Sequence, residues 1–191
     1  ARSAFELARG RRKKVTAVHK ANVMKVTDGL FLRSVRKVAA EFPDVTLDDA
    51  IVDAAAALLV RDAARFDVIV TTNMFGDILS DLATELSGSL GLGASINAGD
   101  TTALAQAQHG SAPDIAGKGI ANPSSLILSS AMLLDWLGTR RGVRALNEAG
   151  AAIERAVDAV LAVPEKRTRD LGGTAGTSDF AASVADALTT A

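Results

Sequence analysis

Residues 65–86 read RFDVIVTTNMFGDILSDLATEL, and within them the hydrophobic pattern changes from a continuous apolar run to a repeat of three and four. The run DVIVTT predicts a strand covered on both faces. Ile78, Leu79, Leu82 and Leu86 then predict a helix. A strand passing directly into a helix, in a chain where such alternation recurs, places the fold in the α/β class. Phe75-Gly76-Asp77 reads as the break between the two elements and gives the helix an acidic first turn. Asp77 and Asp81, four residues apart, share one face of that helix. Two surface carboxylates so placed repel by only about 0.2–0.5 kcal/mol, which solvation accommodates. The alternative is a divalent metal site, because Mg²⁺ takes one or two carboxylates and completes its shell with water and substrate oxygens.

Upstream, residues 3–12 predict the end of a helix with a basic last turn, and KKVTAVHKAN alternates with the period of a half-buried strand. Lys20 falls at the end of that strand, beside His19. A lysine there is either solvated or, next to a cation, a base able to carry a proton. A single histidine offers no metal-ligand spacing. Residues 27–41 predict an amphipathic helix with Leu30, Phe31, Val35 and Val38 on its apolar stripe, followed by a strand near residues 45–48 and the Ala-rich helix IVDAAAALLV. Asp53 lies in that apolar run, where a carboxylate must face water, a partner or a cation.

Downstream, Gly88, Gly91 and Gly93 open a glycine-rich passage without the G-x-G-x-x-G spacing of a Rossmann turn. Residues 109–122, HGSAPDIAGKGIAN, have loop chemistry throughout and a length that usually serves binding. Pro123 begins a hydrophobic helix with Gly138 as its expected stop, and residues 140–162 form a second. The tail gives a glycine turn and a last helix from near Thr177 or Ser178.

The 191 residues carry 21 Lys+Arg against 22 Asp+Glu, a balance that leaves no electrostatic footprint for nucleic acid or an anionic membrane. No apolar stretch reaches the length of a membrane span, so no membrane partner is expected. The absence of Cys excludes thiolate metal sites and fits a cytoplasmic, reducing location. With no Tyr and an Ala at position 1, the chain is expected to begin inside a longer protein.

Three runs, VTAVHKANVMKVTDGLF, IVDAAAALLVRDAARFDVIVTTNMFGDILSDLA and HGSAPDIAGKGIANP, resemble the β-decarboxylating dehydrogenases: isocitrate, homoisocitrate, 3-isopropylmalate and tartrate dehydrogenases. The resemblance implies an isocitrate/isopropylmalate dehydrogenase-like fold present in part. Residues 1–87 would belong to the central metal, substrate and dimerisation domain, and residues 88–191 to the C-terminal half of the large cofactor-binding domain. The same resemblance implies metal ligands at Asp77 and Asp81, with Asp53 offered across the interface of a homodimer or higher homo-oligomer. It makes Lys20 a proton shuttle, also contributed across that interface, and places Asn22 near nicotinamide and substrate. His109, Gly110, Asp114, Ile115 and Asn122 would hold the adenosine half of NAD, Asp114 accepting from the ribose hydroxyls and opposing a 2′-phosphate. The family's substrate arginines and catalytic tyrosine would lie upstream.

The activity so implied is oxidative decarboxylation of a 2-hydroxy acid of the isocitrate or homoisocitrate type, with Mg²⁺ or Mn²⁺ as Lewis acid and hydride transfer to NAD. The HKANVMKVTDGLF run favours those branches over the isopropylmalate branch, whose usual counterpart of His19 is Asp. Alternatives are an isopropylmalate or tartrate dehydrogenase, or a non-catalytic regulatory subunit of a hetero-oligomer. Gln106 and Gln108 depart from the family's usual Glu and apolar residue, and Lys166, Arg167 and Arg169 add positive charge that is expected to be solvated.

Overall fold

The structure is a computed structural model in which residues 1–189 are described. It contains two compact units, the first Ala1–Ala83 and the second from Thr84 on.

In the first unit, β1 (Lys14–His19), β2 (Thr46–Ile51) and β3 (Val68–Val70) form a parallel sheet in the order β2-β1-β3. Parallel neighbours need crossover connections, and α2 (Thr27–Ala39) and α3 (Val52–Asp62) are those crossovers. Helix α1 (Arg2–Arg9) precedes the sheet and α4 (Asn73–Leu86) follows it. Val15 and Ala17 of β1 enter a core with Phe5, Leu32, Val35, Phe42 and Val68. Val18 enters a second core with Ala55, Leu59, Phe66 and Leu79. Helices therefore cover both faces of the sheet.

This arrangement corrects three sequence expectations. β1, expected to be half-buried, is buried from Val15 through His19, whereas the three-residue 68–70 strand is covered on both faces as expected, with Val68 and Val70 against one core and Ile69 against the other. The alternation misleads because Thr16, on its more polar side, is itself buried on the central strand. On α2, Leu30 is exposed, and Leu32, Val35 and the carboxylate of Asp28 point inward. Helix α4 begins at Asn73, so Phe75-Gly76-Asp77 lies within it and Asp77 is past the first turn. Its entry is fixed by Thr71 Oγ1 donating to the Val18 carbonyl at 2.8 Å and the Gly76 N–H donating to the Thr72 carbonyl at 2.8 Å. Phe75 and Leu79 form the buried stripe, while Ile78 and Leu86 are exposed.

The basic run RGRRKK at residues 9–14 is stitched into the unit. Arg9 pairs with Asp44 at 2.8 Å and lies over the Phe42 ring, Arg11 pairs with Asp67 at 2.9 Å, and Lys14 pairs with Asp48 at 2.9 Å. Arg12 donates to the carbonyls of Ala64 and Phe66. The Asp67 side chain is 1% exposed. Burial alone would raise its carboxyl, but hydrogen bonds from the Arg11 guanidinium and the Lys14 and Arg12 amides hold it below the ordinary value. A carboxylate depressed in the folded state contributes stability above its unfolded pKa of about 3.9 and loses that contribution as pH falls through the folded value. Acid titration followed by circular dichroism should therefore show a steeper loss of structure below about pH 4 in the wild type than in Asp67→Asn. Parallel curves would remove Asp67 as a contributor.

In the second unit, β4 (Ala94–Ala98) and β5 (Ala103–Ala107) form an antiparallel hairpin closed by the Gly99 N–H donating to the Thr102 carbonyl at 2.9 Å. The hairpin lies on α5 (Ser124–Arg141) through two buried hydroxyls. Ser129 donates to the Gln106 carbonyl at 2.8 Å and accepts from the Ser95 N–H at 2.9 Å. Ser125 donates to the Gly93 carbonyl and accepts from the Gln108 N–H at 3.0 Å. Helix α5 continues through Gly138 and stops at Gly142, whose φ of 66° is left-handed. Gly138 instead makes room for Asn147 of α6 (Arg144–Leu161), where an added Cβ would lie 2.9 Å from the Asn147 nitrogen. Helix α7 (Thr177–Thr189) closes the unit by packing Phe180 and Val184 against Ala156, Val157 and Val160. No described helix is long and apolar enough to cross a membrane.

Candidate active site

The parallel sheet of the first unit decides where its polar residues gather. His19 pairs with Ile51 in register, so the carboxyl ends of β1 and β2 reach the same edge. In such sheets that edge is where ligands bind. Lys20 is the residue after β1, and Asp53 lies in the first turn of α3, just after β2. The two meet there: Lys20 Nζ forms an ion pair with Asp53 Oδ1. The Lys20 hydrogen bond is the main reason the Asp53 carboxyl is held below the usual carboxylate range. Asp53 nevertheless remains 67% exposed, whereas the lysine is already partly enclosed. Helix α4 departs from the carboxyl end of β3 and carries Asp77 and Asp81 on an exposed face. Asn22 is exposed in the turn after Lys20.

Among the described residues, no three His, Cys, Asp or Glu side chains converge closely enough to hold a metal ion within one copy. What the unit does offer is a set of exposed carboxylate oxygens with no thiolate, the donor chemistry of a hard cation such as Mg²⁺ or Mn²⁺. One or two protein carboxylates suffice for such an ion when substrate and water complete its shell.

In the second unit, His109, Gly110, Asp114, Ile115 and Asn122 lie on the one connection between β5 and α5. Asp114 is exposed within a short 3-10 turn, Pro113–Ile115. Ala112, immediately before Pro113, has a φ of 44°, and Gly117 and Gly119 have φ of 74° and 63°. A left-handed non-glycine residue costs about 1–2 kcal/mol and persists only where its surroundings impose it, a pattern that clusters at ligand-binding loops. The exit of the loop is clamped. The Gly119 carbonyl accepts from the Thr177 N–H at 2.9 Å, and Thr177 Oγ1 donates to the Ala121 carbonyl at 2.6 Å. Asn122 is buried with both ends of its amide engaged, Oδ1 accepting from the Ser124 N–H at 2.9 Å and Nδ2 donating to Asp170 at 2.9 Å.

Asp170 is the residue that sequence reading missed. Burial would raise its carboxyl, but hydrogen bonds, chiefly from Ser89 and with Asn122 beside it, outweigh that effect and keep it below the ordinary value. Ser89 Oγ donates to the same Oδ2 that receives Asn122. The only sequence signal was an acid ahead of the Gly172-Gly173 pair, with nothing to indicate a partner 48 residues away. Of the unusual residues, Gln108 has its amide satisfied by Thr84 at 3.0 Å, and Gln106 is exposed. Lys166 and Arg169 are solvated as expected, but Arg167 is half-buried and donates to the Leu161 carbonyl at 2.6 Å.

Comparison with known proteins gives a consistent picture. A family model described as isocitrate/isopropylmalate dehydrogenase matches residues 1–184. The chain is 55% identical over 188 residues to the isocitrate/homoisocitrate dehydrogenase of Thermus thermophilus, covering 98% of this chain and 54% of that protein. It is 51% identical over 189 residues to the 3-isopropylmalate dehydrogenase of Archaeoglobus fulgidus, covering 98% and 56%. The crystal structure of isocitrate dehydrogenase from Methylococcus capsulatus superposes with a TM-score of 0.90 at 49% identity, covering 98% of this chain and 54% of that one. The chain thus spans about half the length of the relatives it matches. With an α/β fold and sequence agreement along nearly its whole length, the chain belongs to the isocitrate/isopropylmalate dehydrogenase family.

Proposed function

We propose that this chain forms part of a metal-dependent dehydrogenase that oxidises and decarboxylates a 2-hydroxy acid of the isocitrate or homoisocitrate type, with NAD as hydride acceptor. The observation that carries this reading is the meeting of Lys20 with Asp53 at the edge of the sheet from which α4 bears Asp77 and Asp81. Residues 1–87 then contribute the metal and dimerisation part, and residues 88–191 half of the cofactor-binding part. Asp77 and Asp81 of one copy supply two oxygen ligands. A homodimer brings Asp53 and Lys20 of the partner subunit to them, which fits a single copy in which, among the described residues, no three such groups converge. When bound there, Mg²⁺ or Mn²⁺ lowers the pKa of the substrate hydroxyl and polarises the carboxylate beside it.

Lys20 Nζ, in its neutral amine form, accepts the hydroxyl proton as hydride leaves the substrate carbon. Asn22, in the turn beyond it, is placed to position substrate and nicotinamide. His109, Gly110, Ile115 and Asn122 shape the loop around the adenosine half of the cofactor, and Asp114 accepts from ribose hydroxyls. A carboxylate at position 114 faces a like-charge clash with a 2′-phosphate, which supports NAD over NADP. Retention of Lys20 and all three aspartates supports catalysis over a regulatory role.

The test is an absorbance assay for reduced cofactor with isocitrate, homoisocitrate, isopropylmalate and tartrate, each with and without Mn²⁺. Because the chain spans about half of its relatives, it is run on the chain alone and on the chain joined to the complementary half of the Thermus thermophilus relative. Mn²⁺-dependent NADH formation with isocitrate or homoisocitrate is expected, and Asp114→Lys should shift preference toward NADP. Turnover independent of metal, or selectivity unchanged by Asp114→Lys, would count against the reading.

A further inference from the structure

The turn that carries Lys20 is held by its backbone. Its side chain ends in the Asp53 ion pair, but the main chain beneath it is fixed by two side chains with no assigned role, His19 and Asp28. His19, the last residue of β1, is 6% exposed. Its Nδ1 accepts the Ala21 N–H at 3.0 Å, which requires a lone pair on Nδ1 and therefore puts the ring proton on Nε2. Nε2 then faces Asp49 Oδ2 at 3.2 Å, and Asp49 Oδ1 accepts from Arg36 at 3.2 Å. An ionic pair from β2 and α2 thus orients the ring. Asp28, on the first turn of α2 and 2% exposed, accepts the Lys20 N–H through Oδ2 at 2.6 Å. The Lys20 carbonyl accepts from the Val23 and Met24 amides at 2.9 and 2.8 Å. Between them these contacts engage the amide of Lys20, the carbonyl of Lys20 and the amide of Ala21.

We propose that His19 is a positioning residue whose Nδ1 lone pair sets the Lys20 turn, with Asp28 as the second anchor, so that the amine is delivered to the sheet edge in a single geometry. A buried histidine at a strand end that only filled space would need no defined tautomer. Here one ring nitrogen must accept and the other must donate, and Asp49 with Arg36 fixes which does which. The link to catalysis rests on the reading of Lys20 given above. The geometry of the turn does not.

Asparagine and glutamine separate the two ends of the ring. Asn at position 19 can place an oxygen where Nδ1 stands, whereas Gln reaches the Nε2 position and leaves the Ala21 N–H without its partner. Amide hydrogen exchange of H19N and H19Q is measured by ¹H–¹⁵N NMR on the full 191-residue chain, with the amides of Val15 and Ala17 as the reference for global opening. Relative to that reference, Ala21 exchange is expected to be about tenfold faster in H19Q and within about twofold of wild type in H19N. The ¹⁵N shifts of His19 in the wild type should show an unprotonated Nδ1 and a protonated Nε2. Equal protection of Ala21 in H19N and H19Q, or a proton on Nδ1, would overturn the proposal.

In the assembled dehydrogenase, H19Q should lower kcat about tenfold with KM little changed, and H19N should restore it. A Lys20→Met variant that retains full turnover would instead overturn the role of Lys20 and leave the exchange result standing, so the two failures are distinguishable.

Discussion

Asp81→Asn is expected to reduce Mn²⁺-dependent NADH formation by more than about 100-fold, since even partners one layer behind a ligand typically cost 10–100-fold when lost. The amide keeps one oxygen but removes the charge that attracts a hard cation. The helix itself should be unaffected, because α4 is anchored by Phe75 and Leu79 and Asp81 lies on its exposed face. Far-UV circular dichroism and the melting temperature without metal should therefore match the wild type, while calorimetric titration with Mn²⁺ loses its binding signal. Asp158→Asn, an exposed acid on α6, is the control and should change neither. Wild-type turnover in Asp81→Asn would remove the metal assignment from α4.

Gly173→Ala should be the most damaging of the small substitutions in the second unit. An added Cβ would lie 2.5 Å from the Arg167 carbonyl carbon and closer still to its oxygen, and backbone cannot swing aside as a side chain can. The same carbonyl accepts the Ala175 N–H at 2.9 Å, and the Gly173 N–H donates to the Thr168 carbonyl at 3.0 Å. Relief of the clash therefore opens the loop that holds Asp170 against Asn122. Overpacking of this kind costs about 2–3 kcal/mol, or a fall of about 4–12 °C in Tm for a chain of this size. Gly172→Ala next door meets no atom within 4 Å and is disfavoured only by its φ of 76°, which costs about 1–2 kcal/mol. Differential scanning calorimetry should rank the pair in that order. A milder effect at Gly173 than at Gly172 would show that the 167–175 loop is not the rigid support described here.

Where local chemistry and tertiary packing agree, the sequence was a good guide. The alternation of strands and helices, the loop at residues 109–122 and the start of α7 at Thr177 followed from periodicity, glycine and proline placement and capping chemistry. Where a residue's role depends on what lies across the fold, sequence reading failed. Glycine usually ends helices, which marks Gly138 as a stop, but α5 runs on and the missing Cβ lets Asn147 approach. Gly76 reads as a break in the sequence, yet a single glycine in a helix costs only about 1 kcal/mol, and burial of Phe75 and Leu79 on either side outweighs it. Of the candidate site, the residue types were readable, but their supports were not. Asp28, Asp49, Ser89 and Asp170 act on partners set by topology, and no spacing rule connects Asp170 to Asn122.

The start of α4 at Asn73 has a consequence for its two acids. Beyond the first turn they gain little from the positive pole of the helix, an effect confined to its terminal residues. Side chains four apart on a helix stand roughly 5–6 Å from each other, whereas physiological salt screens charges over about 8 Å. Background electrolyte thus leaves their small mutual repulsion largely in place, and on the function proposed above a bound cation would offset it.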